Sequence, residues 1–586
     1  MESSKAVELD LSKIPLYQKR KYIPQQINFS DAQEVCGEYK KIMERPIDSW
    51  QDFEAFLAHW SELESAITEH DSVLYIRMTC QTDDAARSEA YRYFNQEVVP
   101  LIKPCEHQLK IKLISYCDKA KLKNDKYEVL VRNARADVEL FRDENIELQK
   151  QEDALIQDFQ TLSGSIMVEF EGKQLTMPQI RKKLSEQDRA VREKAWRAMM
   201  ERWALETEKF DDIFDKMISL RHKIALNAGF KNFRDYRFKE WHRFDYTPED
   251  CFKFHKAVTE TVLPALKKIF QHRKEVTHLE KIRPWDFDVI QPVDPYGRNA
   301  LAPFKEPGEL VRGIRKMVGK LHPDFDKQIA RMVELGMLDL VSRKGKAPGG
   351  YQSSLNERRE QFIFGNTVGS NTDVNLLLHE GGHSFHSAAC RDLELVAYRH
   401  APIEFCEVAS QAMEMLGSKY LTEFYSEDDA KRAWREKLEE LVYYLSWIAN
   451  IDAFQHWIYE NPMQDRQLRR KTWTDIYERF FDGLYDWSGL EKFKEIMWQR
   501  QLHIFQCPLY YIEYGISQLG AIGIWLQSLK SVEQAVNNYR KALALGGSRP
   551  LPELFAAAGL NFDFSAKTVE PLVSAVMQEW EKVKNA

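Results

Sequence analysis

Two histidines four residues apart bracket a glutamate in the run His379-Glu380-Gly381-Gly382-His383. On a helix, residues four apart share a face, so both imidazoles can point at one metal ion. Glu380 then stands beside the water that such an ion activates, placed to serve as a general base. Two neutral imidazole nitrogens and one carboxylate oxygen make a three-ligand zinc site with the fourth position left for water. With 15 His and 90 Asp plus Glu in the chain, HExxH arises by chance about 0.03 times. Its surroundings therefore decide its meaning.

A histidine ten residues after His379 would define one subclass, but that position is Ala389. The alternative is a glutamate from a second helix. His400-Ala401-Pro402 provides a break and a proline start, after which Glu404, Glu407, Gln411 and Glu414 occupy one helical sector. Glu407, 24 residues after His383, is the expected third ligand and Glu404 the second choice. Without the histidines upstream, such an acidic cluster would simply be a solvated helix face.

The elements that must position these groups follow from the flanking residues. Asp373 can cap the metal helix, and Val374 to Leu378 supply its apolar turn. Asp373 and Glu414 are also candidate acceptors for a ligand histidine. Two mid-helix glycines cost roughly 1 kcal/mol each relative to alanine, a local violation expected where something approaches closely. Gly345 to Tyr351 reads as loop, and Gln361-Phe362-Ile363-Phe364 as a short strand ending at Gly365-Asn366. As an exposed edge it could pair with an extended peptide; as a small hairpin it would only support the helix. His386 reads as a packing or substrate-side residue, and Cys406 as a buried thiol.

The whole chain has 586 residues, enough for two or three lobes, with 44% hydrophobic and 30% charged residues. A net charge of -7 argues against nucleic acid or an anionic membrane as partner. The N-terminal stretch has no apolar targeting segment, and no apolar run spans a bilayer, so a cytoplasmic location is expected. Eight scattered cysteines without a CxxC pair indicate reduced thiols. Residues 1–162 are expected to form a helical lobe, with apolar positions such as Trp50, Phe53, Phe56, Leu57 and Trp60 at helical spacing. Ser163-Gly164-Ser165 reads as a break opening a catalytic region over 163–586. A hairpin around Glu171-Gly172-Lys173 follows, then a helix start at Thr247-Pro248 and an irregular segment from Pro284 to Pro307.

The runs HEGGHSFH and EFCEVASQAMEML resemble the oligoendopeptidase F family of zinc metallopeptidases, related to thimet oligopeptidase. SEQDRAVREKAW, FDYTPEDC, GKAPGGY and GGSRPLPELFAAAGL extend the resemblance across residues 160 to 586, more weakly to the N-terminal lobe. Gly381 departs from it, since many members carry a bulkier apolar residue there. The resemblance implies a mainly α, elongated, zincin-like peptidase with a deep central channel, one zinc ion per chain and a small β-sheet beside the site. It implies an endopeptidase acting on unstructured oligopeptides. It also implies that His503, Tyr511 and Tyr514 contact the transition state or substrate backbone, whereas bare tyrosines on an apolar helix are more often core; Tyr510 is expected to be structural. The rival expectations are a carboxypeptidase, marked by a basic pocket that the sequence does not locate, and a non-catalytic zinc-stabilised peptide-binding protein. Oligomeric state is not legible.

Overall fold

The computed structural model describes residues 9–121, 125–290 and 292–586. The first eight residues, part of the stretch read as lacking a targeting segment, lie outside the described residues. The chain is mainly α-helical with few strands, and no helix among the described residues is long and apolar enough to cross a membrane. It divides into two compact units, one of Met1–Phe141, Ala302–Ser426 and Gly520–Phe562, the other of Arg142–Leu301, Glu427–Leu519 and Asp563–Ala586.

In the first unit, the helix Trp50–Cys80 starts at a Ser49/Asp52 capping box. Its expected apolar face is buried, with Phe53, Phe56, Leu57 and Trp60 packed among Tyr39, Leu109 and Leu113. Burying an aromatic or aliphatic side chain stabilises by roughly 1.5–3 kcal/mol, so this cluster anchors the N-terminal helices.

The same unit holds a three-stranded sheet. Glu360–Thr367 lies between Leu338–Val341, parallel with Leu338 opposite Ile363, and Tyr351–Leu355, antiparallel with Tyr351 opposite Phe364. The strand expected at Gln361–Phe364 is therefore central, not an edge. The cause is its composition: Phe362, Ile363 and Phe364 are apolar on both faces and all buried, which suits an interior strand. The end strand is Tyr351–Leu355, whose first residue closes the segment read as loop. Lys346 holds that loop down, its buried ammonium bonding Asp339 Oδ1 at 2.9 Å and the Asp339, Val341 and Gly365 carbonyls.

The helix Asn371–Ala389 begins at a Ser370/Asp373 capping box. Asp373 Oδ2 accepts the N–H groups of Val368 and Ser370, at 2.9 and 2.8 Å, so it caps the helix and is not a histidine acceptor. This helix packs on Ile403–Gly417. A Cβ on Gly382 would stand 2.6 Å from Ala409 O and Ser410 Cα, whereas one on Gly381 would meet nothing closer than 3.7 Å. The crossing requires glycine at only one of the two positions.

In the second unit the helix Asp143–Ser165 runs through Ser163-Gly164-Ser165, because Gly164 lowers helix propensity without a competing turn to exploit it. The hairpin follows as expected, with Phe170 opposite Lys173. Its turn residues Glu171 and Gly172 have φ of 52° and 74°, as a two-residue turn of type I′ demands. Thr247 and Asp250 form the capping box of Pro248–Ala257, and Glu427–Glu460 is the longest helix among the described residues.

Alanine substitution tests the helix crossing. Gly381→Ala is expected to raise stability by up to about 1 kcal/mol, and Gly382→Ala to lower it and loosen the metal helix. Thermal melts of both variants check this, and a neutral Gly382→Ala would refute the close approach.

Candidate metal centre

The close helix crossing brings the expected ligands together within the first unit. His379 Nε2 and His383 Nε2 converge on Glu407 Oε2 at 3.5 and 3.9 Å, with the rings at 83° to each other. Donors in a tetrahedral zinc site stand about 3.3 Å apart. A small inward adjustment therefore brings all three onto one ion.

Two of the three are held by neighbouring side chains. His379 Nδ1 bonds Glu414 Oε1 at 2.8 Å, which directs the other ring nitrogen toward the ion position. Ser410 Oγ donates to Glu407 Oε2 at 3.1 Å. Glu414, one of two acceptors considered from sequence, is thus the one that reaches a ligand. Ser410 was not singled out, although its spacing of three from Glu407 is a helical neighbour signal.

The charges favour a cation. Burial works against charge on His379, but the Glu414 hydrogen bond and the carboxylates of Glu414, Glu407 and Glu380 outweigh it and lift its pKa to about 9. Burial, then the charge on His379, pushes His383 down to about 3. Glu380 is raised to about 7, first by burial and then by repulsion from Glu407 and Glu414, against the opposing pull of His379 and the Gln352 backbone. Three carboxylates around two imidazoles in a sheltered site favour a divalent ion, with the two imidazoles and Glu407 as its donor set. The imidazoles keep a way in, their side chains being 25% and 19% exposed.

The other candidates on these helices stand apart. Glu404 is buried but is not among the converging donors. His386 is buried, its ring near Phe405, and burial pushes its pKa down to about 3, which suits packing. The Cys406 thiol donates to Ala401 O at 3.5 Å, so it turns away from the ligand face.

His503, Tyr511 and Tyr514 lie in the second unit, where they form one cluster. His503 Nε2 and Tyr514 OH are 3.4 Å apart, and Gln501 Nε2 is 3.0 Å from His503 Nδ1. Tyr511 is buried and Tyr514 half-buried; burial holds the Tyr511 hydroxyl well above its ordinary value. Their helix starts at Tyr511, two residues after Leu509 takes a left-handed φ of 65°. Arg243, which the sequence reading passed over, fixes this turn by donating to Leu509 O at 2.8 Å and pairing with buried Glu513. His503 and Tyr511 also line a cavity of about 320 Å³ within this unit, together with Arg500 and several aromatic side chains.

Known proteins resemble the chain across this framework. Oligopeptidase PepF of Bacillus subtilis is 23% identical over 346 residues, 57% of this chain and 49% of that protein. An oligoendopeptidase F homolog of Borreliella burgdorferi is 23% identical over 342 residues, 57% of this chain and 56% of that protein. The chain spans about half the length of these curated relatives. The solved structure of PZ peptidase A with inhibitor 2 superposes with a TM-score of 0.88 at 26% identity, covering 96% of this chain and 100% of that one. The profile of the peptidase M3 N-terminal domain matches residues 25–141. The profile of peptidase family M3 matches residues 183–573 and takes in the converging histidines and glutamates, so the chain belongs to that family.

Proposed function

We propose that the chain is a zinc-dependent endopeptidase that hydrolyses peptide bonds of unstructured oligopeptides. The observation that carries this reading is the convergence of His379, His383 and Glu407 beside the carboxyl of Glu380. These three residues would hold one Zn²⁺. When bound, zinc supplies Lewis-acid polarisation of the scissile carbonyl and activation of the attacking water.

The chain's own residues supply the rest. Glu380 takes the proton of the attacking water and delivers it to the leaving amine, a role suited to a carboxyl whose pKa is raised toward neutrality. Glu414 fixes the tautomer and orientation of His379. An extended peptide can align with the end strand Tyr351–Leu355, whose Gln352 backbone already reaches Glu380. By family resemblance, Tyr514 and His503, and with them Tyr511, donate to the developing oxyanion or the substrate backbone, and a deep channel admits oligopeptides while excluding folded proteins. The partners are oligopeptides, not nucleic acid or membrane, in keeping with the net charge of -7. All eight cysteines are free, which suits a reducing compartment such as the cytoplasm.

One observation favours the carboxypeptidase as second reading. Arg500 lines the cavity beside His503, its N–H groups contact the thioethers of Met200 and Met199, and burial lowers its pKa to about 10. A guanidinium so placed could grip a free carboxylate.

Mass spectrometry of digests of unstructured peptides separates these readings. Wild-type protein is expected to cut internal bonds, and Glu380→Gln to lose at least about a hundredfold in rate. Cuts confined to the carboxyl terminus would install the second reading, and an unimpaired Glu380→Gln would overturn the mechanism. Removal of zinc by a chelator is expected to abolish cleavage and zinc to restore it. Glu414→Gln should weaken zinc binding by roughly 10–100-fold, with cleavage recovered at high zinc; unchanged zinc affinity would show that Glu414 does not position His379.

A further inference from the structure

A second group of metal-capable side chains is buried in the second unit. Cys251 and His255 are four apart on the helix Pro248–Ala257, and Asp452 and His456 are four apart on Glu427–Glu460. Each pair therefore projects from one helix face, and the two helices pack together. Donor atoms of Cys251, Asp452 and His456 lie within 4.8 Å of one another. Asp452 Oδ2 stands 2.7 Å from His255 Nε2 and 3.3 Å from His456 Nε2.

The polar groups here are poorly satisfied for their depth. All four residues are at most 2% exposed. Among the described residues, Asp452 Oδ1 and His456 Nδ1 make no hydrogen bond, and the only polar group shown against His456 Nε2 is Asp452 Oδ2. Phe252 and Phe238 flank the His456 ring, and Phe480 the His255 ring, while Arg243 and Arg234 act on Cys251, and Arg479 on His255, through their charge. Leaving a buried carboxylate oxygen and an imidazole nitrogen without partners costs about 1–3 kcal/mol per group. A coordinated cation would satisfy them together.

We infer that Cys251, Asp452 and His456 form a second, structural metal site for a borderline-soft divalent ion of the zinc class, with His255 holding the Asp452 carboxylate from behind. Thiolate and imidazole donors select zinc over magnesium or calcium, and their complete burial suits a structural role. Binding displaces the Cys251 proton to solvent. Without an ion, burial holds that thiol well above its ordinary value. The ion would clamp the two helices, and its role is separate from hydrolysis.

Metal analysis of the full-length protein tests this independently of any peptidase activity. Protein equilibrated with excess zinc and desalted is expected to retain two ions per chain. Cobalt substitution is expected to produce a thiolate-to-cobalt charge-transfer band, which a site of imidazole and carboxylate alone cannot give. Cys251→Ser should drop the content to one ion and remove the band, while Cys406→Ser, next to Glu407, should keep both. One ion per chain in the wild type, no thiolate band, or a band lost with Cys406 instead would each overturn the assignment. The wild-type stoichiometry and spectrum decide even if Cys251→Ser fails to fold.

Discussion

At Gly382 two helices approach so closely that a single methyl group would collide with Ala409 O and Ser410 Cα. Everything proposed for the metal centre depends on that contact. One helix supplies two imidazoles a turn apart, and the other supplies a carboxylate that has to arrive within a bond length of a shared point. A wider separation would leave His379 and His383 with two ligands and water, a weaker and less selective site. The glycine therefore sacrifices helix propensity to place Glu407, a local conflict resolved by the global arrangement.

Around that contact the chain assembles charge that no protein group neutralises fully. Glu380, Glu407 and Glu414 oppose one another in a sheltered space, lifting both the Glu380 carboxyl and the His379 imidazolium. A divalent cation relieves this by replacing repulsion among carboxylates with coordination. The same arrangement separates the carboxylates: Glu407 faces the imidazole Nε2 atoms and Glu414 takes the far side of His379, which leaves Glu380 for the proton transfer proposed for it. In the second unit, Arg243 performs a comparable service for a different cluster, tying the left-handed turn at Leu509 to Glu513 and so setting the start of the helix that carries Tyr511 and Tyr514.

The convergence of His379, His383 and Glu407 was legible in the sequence because its information is local. Helical spacing alone places His379 and His383 together, and a proline start followed by acidic residues in one helical sector narrows the third donor to a few positions, with Glu407 preferred over Glu404. Pairing order in the sheet was not legible, since Gln361–Phe364 looks the same in a chain whether one neighbour or two flank it; only its apolar character on both faces hinted at the centre. Nor could spacing separate Gly381 from Gly382, because the atom that excludes a side chain belongs to another helix. Gly164 misled for the opposite reason: a weak helix former stays helical when its neighbours propagate the helix. Lys346 and Arg243 escaped notice because a buried cation is recognised only by its acceptors, which come from distant positions.

The most direct test of the metal assignment is anomalous X-ray scattering at the zinc edge from crystals of the zinc-loaded protein. A peak within coordination distance of His379 Nε2, His383 Nε2 and a Glu407 carboxylate oxygen, with Glu414 still bonded to His379 Nδ1, is the expected result. No peak there, or a peak at that centre held by Glu404 in place of Glu407, would contradict the ligand set on which the proposed hydrolysis rests.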